Sequence, residues 1–138
     1  MKKIFIAISI ILIILLMGVC HNSTKVKLFE NVDTESIDTI TILYFGGSFS
    51  TEDKNDILEI MNYLKGVQFS ERSNRNAPNT TPDVIIGLSD NNQNNILHLE
   101  VYGDLARVTP EQEIDYTIPD GFYKEIDNMS KKYRENNK

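Results

Sequence analysis

The sequence has little of what small proteins use to cross-link a fold or to bind a transition metal. Its 138 residues include one cysteine, Cys20, no tryptophan and two histidines, His21 and His98. A single cysteine excludes an intrachain disulfide, so a packed core has to supply the stability. The histidines belong to no cluster with ligand spacing, and we therefore expect neither a metal nor another cofactor.

Basic residues are also in the minority, since 14 Lys and Arg stand against 20 Asp and Glu, a net charge of −6. Nucleic-acid binding requires clustered Lys and Arg, so we expect no nucleic-acid partner. The small basic group near the C-terminus, formed by Lys131, Lys132 and Arg134, suits the negative end of a helix dipole instead.

Sequence patterns of catalytic and ion-binding sites are missing as well. Neither G-x-x-x-x-G-K nor G-x-G-x-x-G occurs, and no serine stands in a nucleophile-elbow context to work with His98. Asp90-x-Asn92-x-Asn94 imitates the start of an EF-hand loop, but Asn95 replaces its glycine and Val101 its bidentate glutamate. We therefore expect a hairpin loop there, no catalytic or metal-binding residue, and a protein that is not an enzyme.

The one long apolar run lies at the N-terminus, from Ile4 to Val19, directly after Lys2 and Lys3. A positive start followed by an apolar run is typical of a signal peptide or membrane anchor. The 16 residues would extend about 24 Å as a helix. A membrane span usually needs about 20 residues, so the length alone does not decide between the two.

Cys20 ends this run, in the sequence LMGVC. The position resembles the lipobox of bacterial lipoproteins, although Val19 stands where that pattern has Gly, Ala or Ser. The resemblance implies that Cys20 carries palmitate and holds the protein on the extracytoplasmic face of the cell membrane. A retained transmembrane anchor over Ile4–Val19 is the alternative. A third interpretation is that Cys20 is a small packed residue at a helix end.

Three parts follow from these patterns: a signal peptide or anchor at 1–19, the lipid-attachment cysteine and a tether at 20–36, and a single domain at 37–138. The domain opens with a β-branched and aromatic strand at Ile37–Phe45, which Gly46-Gly47 ends. A helix over Ser50–Lys65 would begin with Ser50 and Asp53 as a capping box.

The rest of the domain alternates strands and turns before a last helix. That helix would begin at Asp120 as N-cap and carry an apolar stripe. The order of elements predicts an α+β fold, an antiparallel meander sheet with two helices packed on one face. The further strands are expected at Val67–Glu71, Asp83–Ser89, Ile96–Tyr102, Leu105–Thr109 and Ile114–Ile118.

A group of polar residues on the predicted sheet is a candidate recognition patch. His98, Glu100 and Tyr102 alternate with apolar residues and would share the solvated face, and Arg107 follows on the next strand. The alternative is a tight turn with an exposed Arg–acid pair, worth about 0–1 kcal/mol. The polar loop at Arg72–Pro82 is a second candidate, or else only a mobile surface loop.

Taken together, these features are similar to small uncharacterised lipoproteins of Gram-positive bacteria. The residues that carry the resemblance are the lipobox-like segment, the strand with its capped helix, IIGLSD, LHLEVYGDLARV and GFYKEI. The resemblance implies surface anchoring and one small α+β domain, but no activity. We expect a non-enzymatic binding or accessory module for an unknown protein or envelope component. The alternative is an immunity or inhibitory protein that acts on a basic secreted partner.

Overall fold

The computed structural model describes residues 23–72, 80–109 and 115–136. Eight strands in these ranges form one sheet, and two α-helices, α1 (Lys54–Gly66) and α2 (Phe122–Asn136), accompany it. The strands are β1 (Lys25–Val26), β2 (Thr39–Tyr44), β3 (Gly47–Thr51), β4 (Phe69–Arg72), β5 (Val84–Ser89), β6 (Asn95–Tyr102), β7 (Leu105–Thr109) and β8 (Asp115–Thr117).

The sheet is antiparallel throughout, in the order β1-β4-β8-β7-β6-β5-β2-β3. This confirms the predicted α+β class with an antiparallel sheet and two helices. The order is more complex than a meander, because β5 to β8 and the β2–β3 hairpin are sequential neighbours, whereas β1, β4 and the β5–β2 pair are not. Helix α1 connects β3 at one edge of the sheet to β4 near the other edge, which is why β4 pairs with β1 and β8.

One apolar cluster joins the helices to a single face of the sheet. Helix α1 contributes Ile57, Ile60, Met61 and Leu64, and α2 contributes Phe122, Ile126 and Tyr133. The strands meet them with alternate residues such as Ile40, Ile42, Leu99 and Val101, all fully buried. Burial of this many large side chains, at about 1.5–3 kcal/mol each, is the main force that holds the layers together.

The opposite side of the sheet, which we call the open face, carries the intervening residues. A continuous row of directly paired residues crosses seven strands on this side. The row consists of Ser48, Leu43, Ile85, Glu100, Arg107, Asp115 and Arg72.

Strand β3 and the start of α1 differ from the prediction. Gly47–Thr51 is a strand, paired with β2, and the helix begins only at Lys54. Its N-cap is Asp53, whose carboxylate accepts hydrogen bonds from the backbone of Asn55 and Asp56. The predicted capping role of Ser50 is therefore wrong. Phe49 explains the strand, because it is buried and its ring stacks on Tyr133 of α2 at 5.5 Å.

The described part of the predicted tether, residues 23–36, is packed against the domain. It contains β1 and a short 3-10 helix at Thr34–Ser36, capped by Asp33. Phe29 is fully buried, 6.4 Å from the ring of Phe69. A buried aromatic side chain in a polar sequence was not expected, and it extends the folded unit N-terminal to the predicted boundary at Ile37.

The last helix begins two residues later than the predicted cap. Its first residue is Phe122, and the carbonyl of Gly121, with φ of 82°, accepts the hydrogen bond from the backbone of Glu125. Gly121 therefore takes the capping position that we expected for Asp120. Cys20 and the Ile4–Val19 run lie outside the described residues. Among the described helices, none is long and apolar enough to cross a membrane.

Candidate functional site

The candidate site is a group of polar side chains on the open face, carried by β6, β7 and β8. Along β6 the burial alternates, since Leu99 and Val101 are fully buried while His98, Glu100 and Tyr102 are partly exposed. This is the arrangement that the sequence pattern predicts. We call His98, Glu100, Tyr102, Arg107 and Asp115 the open-face cluster.

Glu100 is the centre of the part contributed by β6. Its Oε2 accepts a hydrogen bond of 2.7 Å from the Tyr102 hydroxyl, and its Oε1 lies 3.5 Å from Nε2 of His98. Burial, reinforced by the bond to Glu100, raises the pKa of Tyr102 to about 12. The side chains of His98 and Glu100 keep 31% and 23% of their surface exposed, so a partner can reach both.

Arg107 forms the second part of the cluster. It stands opposite Glu100 in the register, but its guanidinium binds the carboxylate of Asp115 through Nε and Nη2, at 2.8 and 2.9 Å. This bidentate geometry is the strongest form of an Arg–carboxylate pair. The Asp115 side chain is only 2% exposed, whereas Arg107 retains 22%.

Asp115 is the member of the cluster that the sequence interpretation did not name. The signal was present, because Tyr116 alternates with Ile114 and Ile118 in the sequence, and this alternation places Asp115 on the opposite face of the strand. The pairing of β7 with β8, which places Asp115 opposite Arg107, could not be predicted from the sequence.

The turn between β6 and β7 is held by two side chains from other elements. The carboxylate of Asp83 accepts a 2.7 Å hydrogen bond from the backbone of Gly103, and the Tyr123 hydroxyl lies 3.0 Å from the same oxygen. Tyr123 also contacts the carbonyl of Gly103, at 2.7 Å. Burial, together with Asp83, raises the pKa of Tyr123 above its usual range. These contacts fix the strand ends that carry Tyr102 and Arg107.

An apolar region adjoins the cluster on the open face. Gly87 pairs with His98 on one side and Thr41 on the other, and a methyl group at Gly87 would meet nothing within 4 Å. Next to it, Leu43 and Ile85 line a groove of about 450 Å³ that also includes Phe45 and Pro82. Leu43 is 42% exposed and Phe45 is 82% exposed. The open face thus combines charged, hydrogen-bonding and apolar groups.

Comparison with known proteins gave no relative. No protein-family model, no curated protein and no solved structure matches this chain.

The open-face cluster offers a carboxylate, an imidazole, a phenol and a guanidinium paired with a second carboxylate. Within the described ranges, no group of three or more His, Cys, Asp and Glu side chains is arranged to hold a metal ion. The groups present are suited to hydrogen bonds and ion pairs with a partner. The lipid-attachment residue expected from the sequence, Cys20, lies outside the ranges that the structure describes.

Proposed function

We propose that this protein is a non-enzymatic binding or accessory module, held on the extracytoplasmic face of the membrane through Cys20 or the Ile4–Val19 run. In this proposal the open face contacts a protein or another component of the cell envelope. The anchoring part is supported by the sequence alone, in which Lys2 and Lys3 precede the apolar run and Cys20 ends it at a position that resembles a lipobox.

One observation carries the binding part. Both helices pack on one side of the sheet, while the other side keeps the open-face cluster beside the exposed Leu43 and the groove around it. Protein interfaces commonly combine an apolar centre with polar groups at the rim. A sheet face that combines apolar and polar groups in this way is therefore a good candidate for partner binding.

A photoreactive amino acid introduced at Gly87 tests this part in intact cells, because the open space at that position accepts a side chain. The matched control position is Leu58, which is 53% exposed on α1. We expect a specific adduct from Gly87 and none from Leu58. An equal adduct pattern at both positions, or no adduct at either, would count against a binding role for the open face.

The anchoring part has its own test. In Cys20→Ala, a lipid-anchored protein loses incorporation of labelled palmitate and is released or misprocessed. If the variant stays in the membrane with unchanged processing, the Ile4–Val19 run is a retained anchor instead. Wild-type protein that takes up no label and fractionates with soluble protein would refute both forms of anchoring.

A second candidate function is immunity or inhibition directed at a basic secreted partner. It is favoured by the charges of the open-face cluster, since Asp115 neutralises Arg107 and no described Lys or Arg forms an ion pair with the Glu100 carboxylate. Together with a net charge of −6, this would attract a basic surface. A strong fall in adduct yield at raised ionic strength, with a basic protein as the captured partner, would distinguish this function from the first.

A further inference from the structure

Among the residues that the structure describes, strand β3 is a sheet edge that lacks the usual protection against pairing with another chain. It is the last strand in the order of the described sheet, and Ser48 and Ser50 are exposed. Natural edge strands usually carry Lys, Pro, a bulge or a covering loop that prevents pairing with another chain. The β3 sequence, GSFST, has no charge and no proline, and its pairing with β2 is regular over all five residues.

The hairpin geometry shows which backbone groups point outward. Tyr44 and Gly47 pair across a two-residue turn, and the closing pair of such a turn is hydrogen-bonded. Because hydrogen-bonded and non-hydrogen-bonded pairs alternate, Gly47, Phe49 and Thr51 direct their N–H and C=O groups to β2. Ser48 and Ser50 therefore direct theirs away from the sheet.

We propose that β3 pairs with β3 of a second copy of this chain, in an antiparallel arrangement about a two-fold axis at Phe49. In this register Ser48 of each copy lies opposite Ser50 of the other, and all the outward N–H and C=O groups of both serines are paired. Shifting the axis to Ser48 or Ser50 would place one partner outside the strand. The register centred on Phe49 is thus the one that satisfies the whole edge within β3.

Charge complementarity supports a second copy as the occupant. In the same register Gly46 of one copy lies opposite Glu52 of the other. Arg134 sits at this point, because its Nη1 donates a 2.8 Å hydrogen bond to the Gly46 carbonyl while Nη2 binds the Tyr44 hydroxyl. In the described parts of the chain, neither Arg134 nor the exposed Glu52 has a partner of opposite charge. Because of the two-fold symmetry, the dimer contains two such Arg134–Glu52 contacts, one at each end of the paired strands.

The absence of charge in β3 also favours pairing at this edge. Two copies that each carry a net charge of −6 repel each other over most of their surface. At β3 they meet through uncharged residues, and the two Arg134–Glu52 contacts are attractive. This proposal does not depend on the function of the open face or on the mode of anchoring.

Two differently tagged full-length chains, co-expressed and extracted in mild detergent, provide the test. We expect the wild-type chains to co-purify. Glu52→Arg in both chains, or Arg134→Glu in both chains, puts like charges together twice, and co-purification should fall at least about tenfold. Glu30→Arg, the same charge change at an exposed residue that follows β1, the strand at the opposite edge of the sheet, should leave it unchanged.

The decisive combination is one Glu52→Arg chain with one Arg134→Glu chain. In that mixed pair both contacts are again between opposite charges, so co-purification should recover, although each variant fails to pair with itself. Recovery in the mixed pair also shows that both variants fold. The proposal would be overturned if the wild-type chains did not co-purify. It would also be overturned if every combination co-purified equally, because the chains would then associate through another segment.

Discussion

Arg107 stands directly opposite Glu100 on the open face, yet its guanidinium binds Asp115 on the other neighbouring strand. Burial explains the choice, because Asp115 is almost fully removed from solvent and an unpaired carboxylate there would be costly. Glu100 remains partly exposed and is bound by Tyr102 and His98 instead. The pair between β7 and β8 is thus structural, and the carboxylate on β6 is the group available to a partner.

The first prediction concerns this buried pair. Asp115→Asn leaves Arg107 without its counter-charge and should lower the free energy of unfolding by about 2–4 kcal/mol. This loss is somewhat smaller than for a fully buried pair, because Arg107 is partly solvated. Urea unfolding followed by tyrosine fluorescence measures it. Asp104→Asn is the control, since the Arg72–Asp104 pair is exposed and its loss should cost no more than about 1 kcal/mol. Equal effects of the two variants would show that Asp115 is not a structural partner.

The second prediction concerns the segment before the first long strand. Phe29→Ala removes a fully buried ring from the core and should cost about 3–5 kcal/mol. Phe45→Ala, which changes a ring that is 82% exposed, should alter stability by no more than about 0.5 kcal/mol. Thermal or urea unfolding of both variants compares them. If Phe29→Ala were as stable as wild type, residues 23–36 would be a tether after all.

Alkaline titration tests the bond between Tyr102 and Glu100. The pKa of Tyr102 is raised from 10.0 to about 12, first by burial and then by Glu100, so the neutral hydroxyl is favoured in the folded state. The associated stability is complete below pH 10.0 and is lost as the pH rises towards 12. The difference in tyrosinate absorbance between wild type and Tyr102→Phe should show a late-titrating group. Glu100→Gln should lower its midpoint only part of the way, because burial remains.

Acid titration tests the hairpin loop before β6. Hydrogen bonds from the Asn94 side chain and backbone, and from the backbone of Asn92, hold the pKa of Asp90 below 3.8. Their contribution is present above pH 3.8 and is lost as the pH falls through the lowered pKa of Asp90. NMR titration of the Asn92 and Asn94 amides should give a midpoint below 3.8, and Asn94→Ala should raise it. A midpoint at or above 3.8 in the wild type would refute the loop geometry.

Much of the sheet could be predicted from local pattern, but its edges could not. The alternation in β6 identifies Leu99 and Val101 as core residues and Glu100 as a residue of the open face, because a half-buried strand has a period of two. Strand β3 was missed because its alternation depends on one large apolar residue, Phe49, among glycine, serine and threonine. The partner of Arg107 was also missed, since it follows from the tertiary pairing of β7 with β8.

The central claim is that the open face binds a partner through the carboxylate of Glu100, and adduct yield from a photoreactive residue at Gly87 tests it most directly. The yield should be high in the wild-type background and should fall to background with Glu100→Lys. Glu35→Lys, which makes the same charge change in the 3-10 helix that contacts α1 on the other side of the sheet, should leave it unchanged. An adduct that persists undiminished in Glu100→Lys would contradict the account.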